Sequence, residues 1–238
     1  MSSDTICLKE VDSTMDAARA LVRAGRLEIK AVRAQHQTNG RGRRGTEWSA
    51  APGESLLITY LGQPVHPDRF SPQRYSFGAG AAVAEVLSEG YGLTPCLKWP
   101  NDILVDGRKI SGVLVETAPT PSGMLVPLIG IGLNANTRHF PAELEGSATS
   151  IAQQAGDTVD VELLEERLRS RLFMLLTMSW EEIFNLWKRW DDTAGRRYSA
   201  EMDSGMVQGT AAGVLPDGRL EILLYDGSAV VTWSATSH

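Results

Sequence analysis

Nine consecutive residues, Gln37-Thr-Asn-Gly-Arg-Gly-Arg-Arg-Gly45, carry the densest chemistry in the chain. Gly40, Gly42 and Gly45 let the backbone approach a ligand closely, and Arg41, Arg43 and Arg44 supply guanidinium forks that fit phosphate or carboxylate. The cluster stands out because the chain as a whole is acidic, with 23 Lys and Arg against 29 Asp and Glu. Taken alone, the segment is open to two readings: a ligand loop, or a solvated basic arm of the kind that holds nucleic acid. Trp48, just behind it, favours a loop that folds onto a ligand.

A second segment runs Leu97-Lys-Trp-Pro-Asn-Asp102 and, through an Asp106-Gly107 turn, to Arg108-Lys-Ile-Ser-Gly112. Lys98 and Lys109 are expected on neighbouring strands, where two ammonium groups converge on one anion, and Asn101 and Asp102 offer oxygen ligands for magnesium. The same residues also suit a rigid turn with Asp102 capping backbone groups. In the third segment, Ile129-Gly-Ile-Gly-Leu-Asn-Ala-Asn136, glycines alternate on one face of a strand and leave a slot for a flat ligand, with Asn134 at its end as donor and acceptor. A bulge or tight sheet packing explains those glycines equally well, and their spacing is not that of a dinucleotide-binding fingerprint. The histidines at 36, 66, 139 and 238 have no metal-ligand spacing, and no serine sits in a Gly-x-Ser-x-Gly elbow.

The elements that must position these residues are legible in outline. Ser13 and Asp16 open a helix with Ala17, Ala18, Leu21 and Val22 on its apolar face, stopped at Gly25. Val32 to His36 and Ser55 to Leu61 read as strands flanking the Arg-rich loop. Ser71-Pro72 starts a helix ending near Gly90, Asp106-Gly107 joins Ile103–Val105 to Ile110–Glu116 as a hairpin, and Leu125 to Leu133 is a buried strand. Amphipathic helices follow over Val161–Met178 and Trp180–Trp190, the second opened by a Ser179/Glu182 capping box, and the tryptophans at 180, 187 and 190 read as core or interdomain packing. After Gly195, short strands separated by Asp217-Gly218 and Asp226-Gly227 form a small β unit, with a boundary near Asp191.

With 238 residues, 42% hydrophobic and 22% charged, the chain has a globular composition and room for a large domain with a small appendage. Cys7 and Cys96 are too few for a disulfide scaffold or thiolate zinc site. No secretion signal or apolar run of about 18 residues is present, so a cytoplasmic protein without membrane contact is expected.

The order Asp12-Ser-Thr14, Gln37-x-x-Gly-Arg-Gly-Arg-Arg-Gly45, Lys98-Trp-Pro-Asn-Asp102, Lys109-x-x-Gly112, Gly130-x-Gly-x-Asn134 resembles that of the biotin protein ligases, the biotin–[acetyl-CoA-carboxylase] ligases. The resemblance runs from about residue 8 to about residue 235. It implies an α+β fold: a catalytic domain like class II aminoacyl-tRNA synthetases and lipoate ligases over residues 1–190, and an SH3-like β-barrel over 191–238. It also implies a reaction, in which biotin and ATP give biotinyl-5′-AMP and a lysine of a biotin carboxyl carrier protein, from acetyl-CoA carboxylase or a related biotin enzyme, takes the biotinyl group. Clustered cations suit such chemistry because charge develops on the leaving pyrophosphate.

By that resemblance, Ser13, Thr14 and Gln37 bind the ureido end of biotin, and Gly40, Arg41, Gly42 and Arg43 close over it. Trp48 covers the closed loop and Gly112 and Gly132 line the slot. Arg43 and Lys109 are the catalytic cations at the acyl phosphate. Arg44, Lys98, Asn101 and Asn134 fall to ATP, with Asn134 reading adenine, and Asp102 to Mg2+. The loop from Ala135 to Ser150 is expected to order over adenosine. Departures are Met15, where Asn is frequent, Asn39 in place of a common Ala, and an atypical ending over 230–238 that points to a short or altered last strand. With no helix-turn-helix region before Asp12, a single-function ligase without specific DNA binding is expected. A homodimer through a sheet edge is compatible with the resemblance, which does not fix the oligomeric state. Lipoate or octanoate transfer on the same fold, and nucleic-acid binding through Arg41, Arg43 and Arg44, are the alternatives.

Overall fold

The computed structural model describes residues 4–203 and 205–237. Strand β1 (Thr5–Val11) leads into helix α1 (Thr14–Arg23), then β2 (Ala31–Gln37) and β3 (Ser55–Leu61). Helix α2 (Pro72–Tyr91) precedes β4 (Pro95–Lys98), β5 (Asp102–Val105), β6 (Arg108–Pro119) and β7 (Leu125–Asn134). Helices α3 (Ile151–Ala155), α4 (Val161–Leu175) and α5 (Trp180–Lys188) follow. The chain continues through β8 (Arg197–Met202), β9 (Gly205–Val214), β10 (Leu220–Leu224), β11 (Ala229–Thr232) and β12 (Thr236–Ser237). The first seven strands form one sheet in the order β1-β2-β3-β7-β6-β5-β4, parallel only between β1 and β2, and the last five form an antiparallel sheet in the order β11-β10-β9-β8-β12. This is the expected α+β architecture. No helix among the described residues is long and apolar enough to cross a membrane.

Local signals set most of these boundaries. The Ser13 hydroxyl accepts from the Met15 amide and caps α1. Pro72 occupies the first turn of α2, whose end lies at Gly92 (φ 66), two residues beyond Gly90. Asp106 and Gly107 take φ 50 and φ 73, the left-handed pair that a two-residue hairpin requires. The Ser179/Glu182 capping box is formed with both of its bonds. Strand β1 is a difference from the sequence reading: it is an edge strand with much of its length exposed, so it carries no apolar run to mark it. The final strand, β12, is two residues long, in line with the atypical ending.

Side-chain alternation on β7 divides the large sheet into two unlike faces. Ile129, Ile131 and Leu133 point into the main core with α2, α4 and α5, where Trp187 stacks on Phe77 at 4.4 Å between ring centres. Val126 and Leu128 point the other way and meet Met15, Ala18 and Val22 of α1. Helix α1 is only 10 residues long, so it covers one end of that face. The remainder is covered by irregular chain, and a cavity lies there.

The second sheet is joined to the first through Trp99. Its indole Nε1 donates to the Gly218 carbonyl at 3.0 Å, its amide donates to Thr193 Oγ1 at 3.0 Å, and its carbonyl accepts from the Tyr198 hydroxyl at 2.9 Å. Trp180 adds a bond from Nε1 to the Pro216 carbonyl. Apolar residues of the second sheet, among them Ala200, Val214 and Ile222, belong to the same core cluster as α2 and α5. Tyr198→Phe removes one buried bond and leaves the Trp99 carbonyl without that donor. The expected cost is about 1–3 kcal/mol in urea denaturation, read as a lower midpoint with an unchanged slope.

Candidate active site

Sheet register lays down the floor of the site. Leu57, Gly132, Gly112, Asp102 and Lys98 are paired in turn across β3, β7, β6, β5 and β4, and Thr59, Gly130 and Leu114 form the adjacent row on the same face. Three positions in these rows are glycine, so a strip of backbone lies bare where a sheet normally carries side chains. Lys109 is three residues from Gly112 and in a regular strand would point to the opposite face. The pairing of β5 with β6 shifts between Ile103 and Leu104, so that Lys109 pairs with Leu104 and Ser111 with Ile103; Ile110 is the extra residue. That bulge brings the Lys109 ammonium round beside Gly112.

A flap made of residues 40–48 closes over the strip. It folds as a small hairpin, with the Trp48 amide donating to the Gly40 carbonyl at 2.9 Å, the Gly42 amide to the Thr46 carbonyl at 2.6 Å, and Arg41 bridged to Glu47. A β-carbon at Gly40 would lie 2.3 Å from the Trp48 carbonyl oxygen, so only glycine permits the hairpin to shut. The Trp48 indole lies against the floor: a β-carbon at Gly132 would come within 2.4 Å of the ring. Lys109 Nζ stands 5.6 Å from the ring centre, within cation–π range. The glycine strip is thus packed by the protein's own side chains, the indole over Gly132 and Gly112 and Met15 over Gly130, which is the tight-packing reading of their spacing.

Beneath the flap is a cavity of about 390 Å3, lined by Ser13, Thr14, Gln37, Arg43, Lys109 and Gly132 among others. At one end Gln37 Oε1 accepts from both the Thr14 amide (2.8 Å) and the Thr14 hydroxyl (3.0 Å), and the same hydroxyl meets Thr59 at 2.9 Å. This fixes the Gln37 amide group at the cavity wall. Thr59 lines the cavity and was missed by sequence reasoning; its one signal is a small polar residue between large hydrophobic neighbours in the fully buried β3.

The three arginines separate into different duties, which corrects the expectation that all of them face an anion. Arg41 makes a bidentate pair with Asp16 of α1 at 2.7 and 2.8 Å, and this bond holds its pKa above the ordinary value. Arg44, assigned to ATP by the resemblance, donates to the hydroxyls of Ser234 and Thr236. Arg43 forms no ion pair among the described residues; its nearest polar partner is Asn101 Oδ1 at 3.5 Å. Burial, with the neighbouring Arg44 charge, lowers its pKa from the ordinary arginine value, and the more distant Asp102 carboxylate only partly offsets this. A nucleic-acid arm needs its arginines presented together to phosphates, whereas here two of the three are engaged by the protein itself.

Lys98 and Lys109 do converge on one anion, but it belongs to the protein. They are not on adjacent strands: β5 lies between them, and its Asp102 takes Lys109 at 2.6 Å and Lys98 at 3.3 Å. Two ammonium groups on one carboxylate leave the trio with a net positive charge, held in place. This bears on magnesium, for which Asp102 was the expected ligand. No group of three ligating side chains occurs among the described residues, and Asp102 already faces two cations, so this donor set does not fit a resident metal ion. Asn101 lines the cavity while its Nδ2 donates to the Val113 carbonyl at 2.8 Å.

Three expected residues stand off the cavity wall. Lys98 reaches it only through Asp102, Gly40 serves the hairpin, and Asn134 is buried with its Nδ2 on the Thr149 carbonyl at 3.0 Å. Asn134 thereby fastens the return of the 135–150 loop, which also runs beside Lys109: the Lys109 amide donates to the Ser147 carbonyl and the Lys109 carbonyl accepts from Thr149.

Comparison with known proteins places the chain in a family. Residues 8–136 match the Biotin/lipoate A/B protein ligase family. The bifunctional ligase/repressor BirA of Bacillus subtilis is 30% identical over 227 residues, spanning 91% of this chain and 68% of that protein. The biotin–[acetyl-CoA-carboxylase] ligase of Paracoccus denitrificans is 34% identical over 161 residues, 65% of each chain. Among solved structures, the biotin protein ligase from Aquifex aeolicus in complex with biotin and ATP superposes with a TM-score of 0.81 at 26% identity, covering 100% of this chain and 99% of that one. The family match spans more than half of the sequence and contains the flap, the glycine strip and both lysines: the chain belongs to the biotin/lipoate A/B protein ligase family.

Proposed function

We propose that this chain is a biotin protein ligase that joins biotin, at the expense of ATP, to a lysine of a biotin carboxyl carrier protein by way of biotinyl-5′-AMP. The observation that carries the reading is the cavity itself: an unpaired guanidinium (Arg43) and a tethered ammonium (Lys109) line it beside a glycine floor covered by the Trp48 indole, with an amide–hydroxyl cluster at the far end. Its volume suits a small ligand of biotin's size. The biotin- and ATP-bound Aquifex relative and the carboxylase ligase of Paracoccus support the substrate and the acceptor.

In the first step a carboxylate oxygen of biotin attacks the α-phosphorus of ATP; the bond to the bridging oxygen breaks and pyrophosphate leaves. Two anions must meet and a third departs, so the requirement is fixed positive charge rather than a proton donor. Arg43 and Lys109 supply it, Lys109 being held by Asp102 and the indole face. Thr14, Thr59 and Gln37 orient the polar ring end by donating and accepting hydrogen bonds. In the second step the acceptor lysine, as the free amine, attacks the acyl carbon; the amide bond forms, AMP leaves as the anion, and the amine's proton passes to solvent. Magnesium arrives, in this reading, on the phosphates of ATP, and no step is assigned to it. We also propose that residues 191–238 act as an SH3-like domain joined to a catalytic domain of residues 1–190.

Biotin-dependent exchange of pyrophosphate into ATP tests the reading directly. Exchange with biotin, and none with lipoate or octanoate, is the expected result; exchange with lipoate instead would replace the substrate while keeping the fold. Lys109→Ala is expected to slow adenylate formation by about 100-fold or more, because the lost charge faces the transition state. Arg43→Gly, which removes the other cation of the first step, should in addition raise the dissociation rate of biotinyl-AMP and spread label onto unrelated lysines; label confined to the carrier protein at the native rate would show that Arg43 does not retain the adenylate.

A further inference from the structure

Arg44 has an environment that a phosphate ligand does not require. Its backbone is left-handed, at φ 54 and ψ 31, a conformation unfavourable for a residue with a β-carbon and kept only where other contacts impose it. The contacts come from a segment 190 residues further along the chain: Arg44 Nη2 donates to Ser234 Oγ at 2.5 Å, and Nη1 to Thr236 Oγ1. That segment is itself anchored. Thr236 and Ser237 form β12 against Ser199 and Tyr198 of β8, and Tyr198 bonds the Trp99 carbonyl beside the cavity. Ala235, Thr236 and Ser237 line the same cavity as Arg43 and Lys109.

We infer that the C-terminal segment Ser234–Ser237 is a working part of the active-site wall, and that Arg44 is a positioning residue that seats the flap, and with it Arg43, by gripping this segment. The catalytic consequence rests on the ligase reading above; the grip itself does not. The chemistry of the partners fits a hold that must also release. Both are neutral hydroxyls that bring no counter-charge to Arg44, whose charge is felt at Arg43 next to it. Thr236 is exposed, as is Arg44, so water competes for the contact when the flap lifts. Only a planar fork reaches two hydroxyls at once; a lysine at this position keeps the charge and loses the second bond.

The test compares the full chain with Arg44→Lys, with Ser234→Ala/Thr236→Val, and with all three substitutions together. Two quantities are read: the dissociation rate of preformed biotinyl-AMP, and the rate at which trypsin cuts the flap of the ligand-free protein, whose cleavable 44 position Arg44→Lys preserves. Each half of the contact, when removed, is expected to raise adenylate dissociation about tenfold and flap cleavage several-fold, with the thermal midpoint unchanged. The triple variant should be no worse than either, since the substitutions remove one shared contact. Native behaviour of Ser234→Ala/Thr236→Val in both assays, or effects that multiply in the triple variant, would overturn the inference and return Arg44 to direct phosphate binding. If the native chain forms no adenylate, the ligase reading fails, and flap cleavage still decides whether the grip exists.

Discussion

The absence of side chains along one strip of the large sheet is the constraint on which the site depends. Gly112, Gly130 and Gly132 bare the backbone where α1 stops, and the Trp48 indole, with Met15 over Gly130, occupies the space that β-carbons would take. The remaining features follow from that vacancy. The flap must carry a large flat residue at Trp48 to cover the strip, its base must be glycine at 40 to fold back so sharply, and the Ile110 bulge must turn Lys109 onto this face. The opposite face of the same strands has no such freedom, because Ile129, Ile131 and Leu133 are fully engaged with the helices. One strand thus contributes both a well-packed core and an open binding floor, using nothing more than period-two alternation.

Charge is arranged with similar economy. The chain is acidic overall, yet Asp16 and Asp102 near the cavity hold cations rather than neutralise the site: Asp16 holds Arg41, and Asp102 holds both lysines. Fixing Lys109 in this way removes much of the rotational freedom that a long side chain would lose on meeting a transition state. Arg43 is left without a counter-ion among the described residues, so the cavity keeps a charge that an anionic ligand completes. A preset field of this kind acts without reorganisation at the moment of reaction, which is where electrostatic catalysis gains most.

Local patterns were the legible part of the sequence. The strand Ser55–Leu61, the Asp106-Gly107 hairpin, the capping box at Ser179 and the small-residue helix α2 follow from neighbours a few residues apart. The cations and glycines of the site were also visible by type. What they do was not, because their partners are distant: Arg44 meets Thr236, Thr59 meets Thr14, and Lys98 meets Lys109 only through a strand between them. A one-residue bulge is equally silent in sequence, although without it Lys109 would face the core. Strand β1 was missed for the opposite reason, since a half-exposed edge needs no apolar run.

The closed flap is held by contacts of modest strength, and one term opposes it. The Arg41–Asp16 pair is at the surface, where such pairs contribute about 0–1 kcal/mol, and the Arg44 bonds to hydroxyls add about 1 kcal/mol each. Against them, the Trp48 Nε1 is buried without a hydrogen-bond partner among the described residues, a cost of about 1–3 kcal/mol. A ligand that meets the flap only when it is shut tips the equilibrium toward closure, tenfold for every 1.4 kcal/mol or so of difference. An intermediate as reactive as an acyl phosphate gains most from such closure, because it is enclosed while both of its halves are bound.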